Sequence, residues 1–157
     1  MAISVLASLA TAITISPAIA ADATARAFVT AIYNAYKGKG GHGVSLDSEG
    51  VIRRYFEPGL AELIIRDRKD AAVLGEAPTL TGDPFVGAGD WNIPGFDIAV
   101  QAVAPNKARA TVKFENFEQP KTVVLDLVKL KVGWRIADIV WQGDSETENL
   151  RALLAEQ

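Results

Sequence analysis

The sequence predicts an α+β protein in which helices pack against one antiparallel sheet. Two observations support this fold class. Apolar side chains recur with helical spacing in the first half of the chain and at alternate positions after residue 95. Short turn signals separate the alternating segments, which favours successive antiparallel strands over a parallel sheet with crossover helices.

The first twenty residues form a segment of their own. They contain no charged side chain, include an apolar run from Ile3 to Ile15 and end in the small-residue triplet AIA. This pattern is typical of a secretory signal peptide. We therefore expect cleavage after Ala20, one mature domain over residues 21–157, and a periplasmic or secreted location. No Lys or Arg precedes the run, so a start codon upstream of Met1 and a hydrophobic first helix stay open as alternatives.

Composition limits the domain count and the classes of partner. With 157 residues, 49% of them hydrophobic, and no cysteine, the chain suits one domain with its own core and without disulfides or thiol chemistry. Its net charge of −3 gives no overall attraction to nucleic acid or to an anionic membrane. We expect no nucleic-acid partner and, after signal cleavage, no membrane partner, while a homodimer stays open.

Three helices are predicted before the long loop. Ile32 and Tyr36 lie four residues apart on one helical face, and the run KGKGGHG ends that helix. Pro58 suits the first turn of another helix, on which Glu62 and Arg66 form an i, i+4 pair. In residues 66–70 of that helix three basic side chains are interleaved with Asp67 and Asp70, which indicates a solvated face. The predicted helices cover Asp22–Lys37, Ser48–Phe56 and Pro58–Ala72.

Four strands and a last helix are predicted after the loop. Over residues 123–128 the third strand is apolar on both faces apart from one charge, as a central strand should be. The last helix would begin at Asp144-Ser145, because Ser145 and Glu148 have capping-box spacing. The strands are expected over 96–104, 108–115, 122–132 and 134–142, with turns at Pro105-Asn106-Lys107, Gln119-Pro120 and near Val132-Gly133.

Residues 73–95 have no periodicity and contain three prolines and five glycines. So long a loop in a compact domain is usually functional or disordered. Its centre, GDPFVGAGDW, holds Asp83 and Asp90. A metal loop would need more oxygen ligands at closer spacing, so no metal site is expected. Instead Asp83 would begin a turn, Asp90 would bond its own backbone, and Phe85 and Trp91 would anchor the loop over the sheet.

The order of elements resembles the nuclear-transport-factor-like (cystatin-like) cone, in which a curved sheet wraps a long first helix and leaves a pocket. The motifs GDPF (Gly82–Phe85), Asp90-Trp91 and GWRIADI (Gly133–Ile139) are similar to a bacterial exported family described as a domain of unknown function. The similarity extends over roughly residues 28–139. It implies the fold and export, but it supplies no catalytic residues and no cofactor.

Aromatic side chains are the candidates for lining such a pocket. Aromatic residues at helical spacing are more often simply core, which is the alternative for the tyrosines of the first helix. The segment around Asp90 would act as a lid over the pocket. The pocket or lid residues are predicted to be Tyr33, Tyr36, Phe85, Asp90, Trp91 and Trp134.

Asp126 and Asp138 interrupt apolar positions of the third and fourth strands. A three-residue turn centred on Val132 would place them directly opposite one another, whereas a two-residue turn at Val132-Gly133 would put them on opposite faces. Side by side on a buried face they could not both ionise, and the raised pKa of one would suit acid–base chemistry. The alternative is that a separate partner, such as Arg109, satisfies each carboxylate.

His42 is the only histidine and lies in the glycine-rich connector without neighbouring metal ligands. We expect a non-catalytic domain that binds a small molecule or peptide in the cone pocket. One alternative is a proton-transferring isomerase or lyase that uses Asp126 and Asp138, with His42 as a further base. Another is a protein-interaction module with an apolar patch around Trp141.

Overall fold

A computed structural model describes residues 17–143 and 147–155, with side chains from residue 22 onward. The α+β class is confirmed. Most of the predicted signal peptide lies outside the described residues, and its last four residues form the first turn of α1. The helices are α1 (Pro17–Asn34), α2 (Glu49–Tyr55), α3 (Pro58–Leu74) and α4 (Leu150–Ala155). The strands are β1 (Phe96–Ala104), β2 (Lys107–Asn116), β3 (Gln119–Leu130), β4 (Gly133–Gln142) and β5 (Thr147–Asn149).

The helix boundaries follow from local capping. The side chain of Ser48 accepts a hydrogen bond from the N–H of Val51 and begins α2. Glu57 does the same for α3, where Pro58 occupies the first turn. Gly75 ends α3 in the left-handed conformation, with φ of 70°. Within the described residues, no helix has both the length and the apolar character needed to cross a bilayer.

The sheet has five strands in the order β1-β2-β3-β4-β5, all neighbours antiparallel, rather than the four predicted. The additional strand arises because residues 147–149 pair with the end of β4, so the prediction of a helix there was wrong. The helix starts instead at Leu150, where the Oδ1 atom of Asn149 accepts the N–H of Ala152 at 2.7 Å. Ser145 of the predicted capping box lies outside the described residues.

The β2–β3 turn lies at Phe117 and Glu118, two residues before the predicted position, since Asn116 pairs with Gln119. Both turn residues have positive φ, 49° and 65°. Such a turn normally contains Asn or Gly, which explains why the sequence did not reveal it. Pro120 is accommodated as a residue of β3 instead.

The core lies on one face of the sheet. Helix α1 packs across β1 and β2, whereas α2 and α3 contact β4. On β3, Val123, Leu125 and Leu127 are buried and define this inner face. The opposite side is called the outer face below. The largest fully buried side chains are Tyr33, Tyr36, Phe56, Phe85, Ile32, Ile52, Leu60, Ile64, Ile93, Leu125, Ile136 and Ile139.

The charged run of α3 is not wholly solvated, which corrects the sequence interpretation. Asp67 is 3% exposed, and its two carboxylate oxygens accept the N–H groups of Thr79 and Leu80 at 2.8 and 3.0 Å. The predicted Glu62–Arg66 pair is also wrong, because Glu62 forms an ion pair with Arg53 of α2 at 2.7 Å. Tertiary contacts therefore replaced the pairings expected from helical spacing.

Candidate functional site

The segment after α3, residues 76–95, is here called the closing loop. Its first turn is organised by Asp83. The N–H of Asp83 donates to the carbonyl of Ala88, and its own carbonyl accepts the N–H of Gly87. Its carboxylate accepts the N–H of Phe85 and the hydroxyl of Tyr36, each at 2.8 Å. The prediction that Asp83 begins a turn is confirmed.

Phe85 projects from this turn into the core and is fully buried. Its ring stacks on Phe56 at a centroid distance of 5.8 Å and touches Tyr36 and Tyr55 at 6.0 Å. The hydroxyl of Tyr33 donates to the carbonyl of Phe85 at 2.8 Å. Tyr33, Tyr36 and Phe85 thus meet, as predicted, but they fill the interior of the domain rather than line an open cavity.

The two tyrosines remain neutral hydrogen-bond donors. Burial raises the pKa of Tyr33 and of Tyr36 far above the ordinary phenol range, and the charge of Asp83 adds to both shifts. The hydroxyl of Tyr36 also accepts the N–H of Val44 at 2.9 Å. This hydroxyl therefore connects the closing loop to the glycine-rich connector between α1 and α2.

Trp91 anchors the far side of the closing loop. Its Nε1 donates to the carbonyl of Gly41 at 3.1 Å, and its ring meets Tyr36 edge-on at 5.2 Å. Gly43, with φ of 67°, lies against the indole so closely that a Cβ atom there would be 2.7 Å from Cζ2. The connector's glycine at this position is thus required by packing as well as by backbone conformation.

Asp90 and Trp134 have different surroundings from the other predicted pocket residues. Asp90 is exposed, and its carbonyl accepts the side-chain amide of Asn116 at 3.3 Å. The same Asn116 accepts the N–H of Asn92 at 2.8 Å, so the bonds that hold this stretch come from the β2–β3 hairpin. Trp134 donates from Nε1 to Thr24 near the start of α1, away from the closing loop.

The register of β3 and β4 places Asp126 directly opposite Asp138, by a route that the sequence did not show. The turn lies at Lys131 and Val132, and this turn alone would pair Asp126 with Ala137. A bulge at Ala137 shifts the register by one residue and brings the two aspartates together. Both lie on the outer face, not on a buried one.

Each carboxylate has its own partners. Arg109 donates to both oxygens of Asp126, from Nε at 2.7 Å and Nη2 at 3.1 Å. Asp138 accepts the backbone N–H groups of Ile139 and Arg151 at 2.9 and 3.0 Å. Burial raises the pKa of Asp138 against the opposing effect of these bonds, and Asp126 contributes the smallest of the causes. The geometry therefore favours two separately satisfied carboxylates over a shared proton.

His42 is exposed in the connector, whereas Asp126 and Asp138 lie within the sheet. His42 and the two aspartates therefore lie on different segments of the fold. In the described part of the chain, no three His, Asp or Glu side chains converge as a metal site. Of the candidate catalytic residues, the strand pairing brings together the two aspartates.

The ionisation of Asp83 is expected to make stability depend on pH. Burial raises its pKa, and hydrogen bonds from Tyr36 and the backbone offset this only in part. Because the folded-state pKa is above the unfolded value, the stabilising contribution is complete below the unfolded pKa and is lost as pH rises through the folded pKa. We predict that the unfolding free energy of the wild type, minus that of Asp83→Asn, falls as pH increases through this window.

Urea unfolding at a series of pH values measures this difference. The exposed residue Asp70 supplies a matched control, since Asp70→Asn removes the same charge without touching the closing loop. Taking differences between variants also cancels the contribution of Glu57 to the pH dependence. Burial opposes ionisation of Glu57, but hydrogen bonds from backbone N–H groups and from Arg151 lower its pKa overall. A wild-type to Asp83→Asn difference that does not vary with pH would contradict the prediction.

Three adjoining surface cavities follow the closing loop and the adjacent end of the sheet. Their volumes are about 720, 240 and 340 Å³. The first and second share Lys121 and Thr122, and the second and third share Gly87, Trp141 and Glu148. Because neighbouring cavities share lining residues, the three are described together below as the Trp141 groove.

Trp141 is the half-buried centre of this groove. Its Nε1 donates to the carbonyl of Pro84 at 2.8 Å, which fixes the indole against the closing loop. Gly87 lies beside it with φ of 67°, and a Cβ atom there would be 2.8 Å from Cδ1 of the indole. The sequence did not predict this groove, although the glycine at position 87 was a signal of close approach.

The comparisons with known proteins are limited. No protein-family model matches the sequence, and no curated protein matches it. One similar solved structure is a phospholipid-binding protein from Ralstonia solanacearum, in complex with a phospholipid. The similarity covers 87% of this chain and 84% of that chain, with 14% sequence identity and a TM-score of 0.45. At this level the likeness supports no conclusion about ligand or family, and the nuclear-transport-factor-like cone stays a prediction.

Proposed function

We propose that this protein binds a small molecule or peptide, without catalysis, in the Trp141 groove. The supporting observation is that the indole of Trp141 is a shared wall of two adjoining surface cavities. Phe85, Tyr33 and Tyr36 already occupy the interior, so a ligand reaches the groove without displacing core side chains. This moves the site from the cone pocket expected from the sequence to the surface beside the closing loop.

The chemistry of the groove suits a ligand with mixed character. Trp141 and Leu153 offer apolar surface, while Gln142, Glu148 and Lys121 offer amide, carboxylate and ammonium groups. Binding sites generally combine apolar walls with a few polar groups that fix orientation. The second and third cavities, about 240 and 340 Å³, have room for a few peptide side chains or one small organic molecule.

Acid–base catalysis has weaker support. The two aspartates that would supply it face the outer side of the sheet, and Arg109 donates hydrogen bonds to both side-chain oxygens of Asp126. The pKa of Arg109 is itself raised by this hydrogen-bonded pair. A proton transfer between the aspartates would have to break the two-point contact with Arg109, so we favour a binding role.

Export is part of the proposal. The uncharged first twenty residues and the AIA triplet support cleavage after Ala20. The motifs GDPF, DW and GWRIADI support membership of the exported family that the sequence resembles. A mature chain of residues 21–157 would begin within α1, so cleavage leaves the part of that helix that packs against the sheet.

Native mass spectrometry on protein isolated without denaturation from its producing cell tests the groove. We expect a reproducible added mass on the wild type that is released by unfolding. Gln142→Trp should reduce its occupancy by at least about tenfold, because the larger side chain fills the second cavity. The same spectra report the mass of the chain, expected to correspond to residues 21–157, and any homodimer.

Gln101→Trp is the matched control, because Gln101 is also an exposed strand residue but does not line the groove. This variant should keep the added mass. Absence of an added mass from all three proteins would contradict tight binding. Its retention by Gln142→Trp would show that a ligand binds elsewhere, and a chain mass that includes Met1 would contradict export by cleavage.

A further inference from the structure

Two hairpin turns lie together at the end of the sheet away from the Trp141 groove. The β1–β2 turn at Pro105 and Asn106 and the β3–β4 turn at Lys131 and Val132 are joined by a hydrogen bond from the N–H of Lys129 to the carbonyl of Asn106, at 2.8 Å. Residues 103–107 and 129–135 are here called the basic end. Thr122 of the groove is eight residues back along β3 from the end of that strand, roughly 25 Å away at the rise of a strand.

The basic end concentrates positive charge. The segments 98–112 and 127–137 contain two and three basic residues and no Asp or Glu. Four of these cations, Lys107, Lys129, Lys131 and Arg135, belong to the basic end, and Arg109 lies two residues beyond it. Of the five, only Arg109 forms an ion pair with a carboxylate among the described residues. Since the whole chain has a net charge of −3, the remainder is correspondingly acidic.

The pairing of strands brings these cations onto neighbouring positions. Val128 of β3 pairs with Lys107 on one side and Arg135 on the other. Lys129 pairs with Trp134, and its Nζ lies 5.9 Å from the centre of the indole. Because the three lysines are exposed, their ammonium groups are available to a partner.

Apolar side chains accompany the charge. Val103 lies near the end of β1, beside the β1–β2 turn, and Val132 lies in the β3–β4 turn; their side chains are 63% and 73% exposed. A single exposed valine needs no explanation. Here two exposed valines lie beside exposed lysines near neighbouring turns. Such a surface suits the interface of a bilayer, where apolar side chains enter the headgroup region and cations meet anionic lipids.

We propose that the basic end docks on the surface of a bilayer that contains anionic phospholipid. The overall negative charge, from which the sequence predicted no membrane attraction, does not oppose this, because charges farther away than about 10 Å are largely screened at physiological salt. Helix α1 passes the basic end near its start, through the bond from Trp134 to Thr24 at 3.0 Å, and runs toward the groove. Because the groove lies toward the other end of β3, docking of the basic end leaves the groove open to the aqueous side.

Sedimentation with phosphatidylcholine vesicles, prepared with and without phosphatidylglycerol, tests this proposal on the isolated chain. We expect partitioning that requires phosphatidylglycerol and weakens as salt is added. Reversal of the three exposed charges, Lys107→Glu with Lys129→Glu and Lys131→Glu, should weaken partitioning about a hundredfold, given the attraction typical of each basic residue near such a surface.

The matched control reverses three exposed charges elsewhere, with Lys37→Glu, Lys39→Glu and Arg66→Glu. It makes the same change in net charge and should alter partitioning by less than about threefold. An equal loss in both variants would overturn the proposal, because net charge alone would then explain the binding. Wild-type partitioning that ignores phosphatidylglycerol or salt would overturn it independently of the folding of any variant.

Discussion

Phe85→Ala is expected to destabilise the protein by about 3–5 kcal/mol, the range for truncating a buried phenylalanine. Phe85 is fully buried and contacts the rings of Tyr36, Tyr55 and Phe56. The large effect is notable because the residue belongs to a long loop, where substitutions are usually tolerated. Urea denaturation followed by far-ultraviolet circular dichroism measures the change in unfolding free energy.

Phe117→Ala is the matched control. It removes the same side chain at a position that is 50% exposed, so the cost should be within about 1 kcal/mol. Phe117 has a positive φ that alanine tolerates no worse than phenylalanine does. If Phe85→Ala costs no more than Phe117→Ala, the closing loop is not part of the cooperative core, and the interior would then be accessible to a ligand.

The first four strands and the fold class could be predicted from the sequence because each depends on local pattern, whereas β5 was missed. The alternation of apolar and polar side chains predicted β1 at its observed bounds, Phe96–Ala104. Helix α3 starts at Pro58, as the sequence predicted. Glu57 caps its beginning and Gly75 caps its end. Such features involve residues close together along the chain, so a single sequence contains the information.

The candidate site depends on contacts between distant segments, and these were only partly predictable. The bulge at Ala137 decides whether Asp126 faces Asp138, yet nothing in the local sequence distinguishes it from a regular strand. The Trp141 groove requires β4, β5 and the closing loop to meet. The basic end likewise arises from two hairpins that are more than twenty residues apart in the chain, which net charge cannot reveal.

The two proposed surfaces can be occupied at the same time because of where the strands place them. The basic end and the Trp141 groove lie toward opposite ends of β3 and β4. A bilayer bound at one end would hold the groove at a distance of roughly 25 Å, set by the length of the strands. A ligand could then reach the groove from the aqueous side, and the two surfaces can be tested separately because Gln142 and the three lysines lie in different parts of the fold.

The closing loop depends on Asp67 as much as on Phe85, and Asp67→Ala is expected to cost about 3 kcal/mol. The buried carboxylate accepts the N–H groups of Thr79 and Leu80. Hydrogen bonds to a charged acceptor contribute about 1.5–3 kcal/mol each, and their removal leaves polar groups unsatisfied. Urea unfolding gives the total cost, and hydrogen exchange at the amides of Thr79 and Leu80 shows where protection is lost.

Asp70→Ala is the matched control, since Asp70 lies one turn farther along α3 and is exposed. It should change the unfolding free energy by no more than about 0.5 kcal/mol. Asp67 and Asp70 have the same side chain and lie on the same helix, so the local pattern predicts that both belong to a solvated face. Equal costs for the two substitutions would restore that interpretation, whereas a cost confined to Asp67, with faster exchange at Thr79 and Leu80, would establish it as the anchor of the closing loop.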